Sequence, residues 1–188
     1  MSEPRTPASS ATPSAASAPG EASLLLVDDL PSNLFALECI LAPMGHRLVR
    51  ASSGQEALRK VLTDDFAAIL LDLRLGDMSG LDVLALLRER ERTRRTPVLL
   101  LTASDGDDPE MLKAYARGSV DYQRKPLVSE LLRARVSLYV ELFFARDAVR
   151  RQELRVRELS TQLQVAQREL EALREPVTQP PPEAPERQ

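Results

Sequence analysis

Short apolar runs recur along the first two thirds of the chain, and a segment with helical spacing follows most of them. The runs at 24–27, 67–71 and 98–101 contain apolar residues alone, which predicts strands buried on both faces of a sheet. Weaker runs at 48–49 and 120–124 predict two further strands. Because strands and helices alternate, we expect an α/β fold with a doubly wound five-stranded parallel sheet.

The helices are predicted from apolar spacing and from their end signals. Pro31 suits the first position of a helix, and Gly118 suits a C-terminal cap. Two predicted helices begin at Pro31 and near Val128, and three others cover 53–62, 81–88 and 109–117. The single cysteine, Cys39, stands in the apolar stretch of the first helix, so we expect it to be buried.

The two ends of the chain differ in composition from the rest. Residues 1–22 are rich in Ala, Ser and Pro, and residues 176–188 are rich in Pro, so we expect both to be disordered tails. A compact domain is expected at 23–130 and an extended helix at 131–175. A net charge of −3 gives no reason to expect nucleic acid as a partner, and no apolar run is long enough for membrane insertion. A cytoplasmic protein is the default.

Polar residues stand at the carboxyl ends of the predicted strands, where sites form in parallel sheets. They are Asp28 and Asp29, then Asp72, Thr102 and Lys125. Crowded carboxylates repel one another, and a hard divalent cation such as Mg²⁺ relieves that repulsion. A carboxylate can also take up a phosphoryl group, for which a lysine and a hydroxyl are suitable donors.

This pattern resembles the receiver domain of two-component response regulators. It includes Gly80 eight residues after Asp72, Ala103 after Thr102, and Pro126 after Lys125. The resemblance implies a flavodoxin-like receiver fold over about 23–130 and a cis bond before Pro126.

The resemblance also implies a role for each site residue. Asp72 would be the phosphoacceptor, with Lys125 and Thr102 as its catalytic partners, and Thr102 and Tyr122 would form the switch pair. The Mg²⁺ ligands would be Asp29, Asp72 and the backbone carbonyl of Arg74, and Asp28 would contribute through water.

Three positions depart from the family's pattern. Gly76 stands where receivers usually have proline, so a more mobile loop is expected. Arg74 and Ser104 occupy positions that tune phosphate lifetime in the family. The arginine at position 74 could hold the phosphate longer or obstruct an attacking water, and the sequence leaves both effects open.

The C-terminal segment has heptad spacing, which is typical of a coiled coil. Its a and d positions predict a parallel homodimer, supported by attractive pairing of Glu141 with Arg146 and of Glu169 with Arg174 across the dimer. Basic residues alternate with acidic ones, so a solvated face is favoured over a DNA-reading helix. The predicted interface residues are Leu142, Val149, Val156, Leu159, Leu163, Leu170 and Leu173.

These features predict a non-enzymatic response regulator. A sensor histidine kinase or phosphotransfer protein would phosphorylate Asp72, and the output would be a changed affinity for a protein partner, without DNA binding. One alternative is a constitutive coiled-coil scaffold in which the receiver is a docking module. Another is that the helix is the remnant of a connector to a lost catalytic domain.

Overall fold

In the computed structural model, the described residues are 20–103 and 121–174, with side chains described up to residue 172. The strands are β1 (Ser23–Val27), β2 (Arg47–Ala51), β3 (Ala68–Asp72), β4 (Val98–Thr102) and β5 (Asp121–Arg124). The helices are α1 (Pro31–Leu41), α2 (Gly54–Thr63), α3 (Gly80–Glu89) and the C-terminal helix (Ser129–Arg174), with a 3-10 turn at Ala42–Met44.

The five strands form one parallel sheet in the order β2-β1-β3-β4-β5. The chain adds strands first on one side of β1 and then on the other, which confirms the doubly wound fold. The point where the direction changes lies between β1 and β3, and such a point is where ligands bind in open α/β sheets. The predicted strands are confirmed, with bounds shifted by one or two residues.

The core consists of the strands that the sequence marks as wholly apolar. β1, β3 and β4 are buried along their full length, because helices cover both faces of the sheet. Leu25, Ile69 and Leu100 pack with α2 and α3 in one cluster. Leu132 and Val136 of the C-terminal helix are fully buried as well. Each such side chain contributes about 1.5–3 kcal/mol of burial free energy, which holds the strand ends in place.

The expectation for Cys39 was wrong, because its side chain is exposed. Leu34, Leu37 and Leu41 are the buried residues of α1, and they follow the three- and four-residue spacing of one helix face. Cys39 lies off that face. Phe35 is also exposed, which shows that the apolar residues of α1 extend around the helix.

Some predictions concern residues outside the described ranges. The predicted helix at 109–117, with Gly118 as its cap, lies outside the described residues, as do both tails except for 20–22. Within that short stretch Ala22 is buried, and its carbonyl accepts a bond from the Arg47 amide at 2.9 Å.

The Lys125–Pro126 bond is cis, as expected. No helix among the described residues is long and apolar enough to cross a membrane.

Candidate phosphoacceptor site

The strand register brings the predicted site residues to one edge of the sheet. Val27 of β1 is paired with Leu71 of β3, so Asp28 and Asp72, each one residue later, are neighbours. Asp72 in turn is paired with Leu101 of β4, which places Thr102 one residue beyond. Parallel strands all end in the same direction, so these polar groups meet at the carboxyl edge.

Lys125 lies between two carboxylates that come from distant parts of the chain. Its Nζ is 2.8 Å from Oδ2 of Asp28 and 3.0 Å from Oδ1 of Asp72. Asp28 is fully buried, and Asp72 is 9% exposed. Removing two carboxylates from water is costly unless a counter-charge accompanies them, and Lys125 supplies one positive charge for the pair.

Asn33, which the sequence pattern did not single out, orients Asp28. Its side-chain amide donates to Oδ1 and Oδ2 of Asp28 at 2.9 and 3.0 Å, and the Leu30 amide donates to Oδ1 at 3.0 Å. A buried carboxylate with several donors is fixed in orientation. The sequence carried one signal for this contact: Asn33 stands five residues after Asp28, in the first turn of α1.

The two charged groups at the centre of the site have shifted pKa values. Burial raises the pKa of the Asp72 carboxyl above its ordinary value; the hydrogen bond from Lys125 opposes this rise, and the charge of Asp28 adds to it. Burial alone would lower the pKa of the Lys125 ammonium. Its bonds to Asp28 and Asp72 outweigh burial, so its pKa is raised and the amine stays charged.

A cavity of about 360 Å³ opens at this edge of the sheet. Asp29, Asp72, Arg74, Thr102 and Lys125 are among its lining residues. One carboxylate oxygen each from Asp28, Asp29 and Asp72 lie within 4.8 Å of one another. Three carboxylates at this separation, with one lysine, leave excess negative charge, and oxygen ligands of this kind fit Mg²⁺. The donor set therefore suits the cation that the sequence predicts.

The two predicted switch residues differ in their position relative to the cavity. Thr102 is 8% exposed and ends β4, where its carbonyl accepts a bond from the Lys125 amide at 2.8 Å. Tyr122 lies on β5, is paired with Leu100 of β4, and packs against the core in a half-buried position. It is not among the described residues that line the cavity.

The predicted seam of the C-terminal helix presents apolar side chains to solvent. Exposed fractions range from 39% for Leu142 to 60% for Val156. The side chain of Leu173 lies outside the described residues. The exposed positions of the predicted interface are Leu142, Val149, Val156, Leu159, Leu163 and Leu170.

Comparisons with known proteins agree with this geometry. The family model of the response regulator receiver domain matches residues 24–137. The transcriptional regulatory protein AfsQ1 of Streptomyces coelicolor is 35% identical over 114 residues, and SrrA of Staphylococcus aureus is 33% identical over 143 residues. These matches cover 61% and 71% of this chain, but only 49% and 58% of the two relatives.

Solved structures include close matches to the sheet and its helices. The receiver domain of the sensor histidine kinase PA1611 from Pseudomonas aeruginosa PAO1 superposes with a TM-score of 0.60 at 28% identity. That match covers 64% of this chain and 98% of the other. A magnesium ion is coordinated in the active site cleft of that neighbour.

Proposed function

The chain belongs to the response regulator receiver family, and from that membership we propose that Asp72 accepts a phosphoryl group from a sensor histidine kinase or phosphotransfer protein. The observation that carries this proposal is the contact of Lys125 with both Asp28 and Asp72 beside a third carboxylate, Asp29. Asp72 borders an open cavity that a donor phosphate can enter.

In the proposed transfer, an Asp72 carboxylate oxygen attacks phosphorus. The bond from phosphorus to the donor histidine nitrogen breaks, and the nitrogen keeps the electron pair. Bound Mg²⁺ would supply charge neutralisation at the phosphate oxygens. Asp29, Asp72 and the Arg74 carbonyl would hold it directly, and Asp28 through water.

Lys125 and Thr102 would then hold the product. The ammonium of Lys125 is already 3.0 Å from Asp72, so it can donate to a phosphate oxygen with little movement. Thr102 lines the cavity and carries a hydroxyl that can donate. We propose that its hydroxyl turns toward the phosphate and that Tyr122 repacks in response, which changes the surface beside β5.

The proposed output is protein association through the C-terminal helix rather than DNA binding or substrate turnover. Exposed apolar residues at heptad spacing need a partner helix, and a second copy in parallel supplies matching positions. Acidic groups offset the basic ones: Asp147 pairs with Arg150 and Arg151 at 3.1 and 3.0 Å. Such pairing is typical of a solvated helix face.

The test of phosphorylation uses a small phosphodonor with Mg²⁺ and the full chain. We expect a hydroxylamine-labile label on the wild type and none on Asp72→Ala. The control Asp65→Ala changes a 58% exposed carboxylate on another surface, so its labelling should match the wild type. An unlabelled wild type, or equal labelling of Asp72→Ala, contradicts the proposal.

The test of output compares oligomeric mass with and without beryllofluoride, a phosphate mimic. We expect a dimer whose dissociation constant changes when the mimic binds. If the Asp72→Ala variant keeps unchanged dimerisation and full cellular function, the alternative of a constitutive coiled-coil scaffold is favoured. A monomer at all concentrations contradicts the proposed seam.

A further inference from the structure

The loop at 73–79, between β3 and α3, borders the acidic cluster. It carries Arg74, whose carbonyl the proposed function assigns to Mg²⁺, and Gly76 in place of the proline that receivers usually have. A Cβ on Gly76 would be 3.5 Å from Oδ2 of Asp29, so the middle of the loop lies close to the carboxylates. The loop therefore needs another source of rigidity if Gly76 is to stay there.

Both ends of this loop are held by local bonds. Arg74 and Ser79 form an isolated antiparallel bridge, which closes the loop at its base. The Ser79 hydroxyl accepts a bond from the Leu81 amide at 3.2 Å and caps α3. These contacts fix the base but leave the segment between them to be held by something else.

Asp77 holds that segment against α2. Its two carboxylate oxygens accept bonds from the amides of Gly54 and Gln55, each at 2.9 Å. These amides belong to the first turn of α2, where backbone donors have no partner within the helix and negative charge is favoured. Burial opposes the charged form of Asp77, but these bonds, together with bonds from the backbone of Asp77 and Met78, outweigh burial and lower the pKa of Asp77.

Met78 adds an apolar contact to the same place. A Cβ on Gly54 would be 2.5 Å from Cγ of Met78 and 2.7 Å from Cγ2 of Val83. Gly54 is therefore the residue that lets the start of α2 lie directly against the loop. Two consecutive loop residues thus contact one helical turn, one through its carboxylate and one through packing.

We infer that Asp77 is a positioning residue that ties the 73–79 loop to α2 and so keeps the Arg74 carbonyl and Gly76 beside the acidic cluster. This inference rests on the proposed function, because it concerns how well that cluster binds Mg²⁺. Groups that orient metal ligands without touching the metal commonly change its affinity by about 10–100-fold.

The experiment measures Mg²⁺ affinity of the unphosphorylated full chain from amide NMR shifts. We expect Asp77→Ala to raise the dissociation constant by on the order of 10-fold. Asp77→Asn keeps an acceptor oxygen and should recover part of the affinity. Hydrogen exchange should show that the Gly54 and Gln55 amides lose protection in Asp77→Ala.

Ser53→Ala is the matched control, because it removes a different cap from the same helix. The Ser53 hydroxyl accepts a bond from the Glu56 amide at 3.1 Å and does not involve the loop. This variant should lose comparable stability and keep wild-type Mg²⁺ affinity. The inference is overturned if Asp77→Ala keeps wild-type Mg²⁺ affinity, or if Ser53→Ala loses as much Mg²⁺ affinity as Asp77→Ala. If the wild-type chain binds Mg²⁺ but takes no label from the phosphodonor, the proposed function fails while the inference about Asp77 stands.

Discussion

Gly80 offers a strict test of how the fold positions the phosphoacceptor. It begins α3, and its amide donates to the Leu73 carbonyl at 2.9 Å. A Cβ on Gly80 would be 2.3 Å from the Asp72 carbonyl oxygen and 3.0 Å from Cα of Leu73. Both obstacles are backbone atoms, so Gly80→Ala has to separate the start of α3 from the end of β3.

The expected magnitude follows from two opposing contributions. Alanine is favoured over glycine by about 1 kcal/mol inside a helix, and by less in its first turn. Forcing an extra carbon into a filled site costs about 1–3 kcal/mol, with the upper part of that range suited to a contact at 2.3 Å. We therefore expect Gly80→Ala to lose about 1.5–2.5 kcal/mol of unfolding free energy. A displaced Asp72 should also slow phosphorylation by about 10- to 100-fold.

The assays are urea denaturation and the rate of labelling by a small phosphodonor, at a temperature where the variants remain folded. Gly76→Ala is the control, because its Cβ would make only an ordinary contact of 3.5 Å with Asp29. It should stay within about 0.5 kcal/mol of wild type. If Gly80→Ala is as stable as Gly76→Ala and is labelled at the wild-type rate, close packing at position 80 does not hold Asp72 in place.

Three further predictions follow from other contacts. Lys125→Ala leaves Asp28 and Asp72 without their counter-charge and should lose roughly 2–3 kcal/mol of unfolding free energy in urea denaturation. This loss is smaller than for a fully buried ion pair because the Lys125 side chain is 23% exposed. Added Mg²⁺ should reduce that loss, and a loss under about 0.5 kcal/mol would contradict it. Bonds from the Ser52 amide and hydroxyl and from Lys60, opposed by burial, lower the pKa of Glu56. The stabilising contribution of Glu56 is therefore present above its unfolded pKa and is lost as pH falls through its folded pKa. The stability deficit of Glu56→Ala should accordingly shrink on acidification. Gln152 stands three residues after Val149, as Leu159 does after Val156, so the heptad spacing places it in the predicted seam. Gln152→Leu should strengthen the dimer by roughly 2 kcal/mol in sedimentation equilibrium, whereas no change would place position 152 outside the seam.

The fold was predictable because its strands are distinctive. Apolar runs such as 98–101, short and followed by a polar residue, are typical of strands buried on both faces. Parallel strands that end together bring their following residues together. That reasoning was enough to place Asp28, Asp72 and Lys125 at one edge, where the ion pairs confirm that they meet.

Other features depend on geometry that a pattern of residue types does not encode. Cys39 was misplaced because α1 carries apolar residues around more than one face, so apolar neighbours did not identify its buried side. Asp77 was missed for another reason. Asp77 bonds to backbone amides 22 and 23 residues away, and any residue except proline could offer those donors.

The most direct measurement is chemical mapping of the phosphorylated residue in the full chain. Borohydride reduction converts an aspartyl phosphate to homoserine, and peptide mass spectrometry then locates the conversion. We expect homoserine at position 72 and unmodified aspartate at positions 28 and 29. Conversion at either of those two residues, or none in folded protein that binds Mg²⁺, would contradict it.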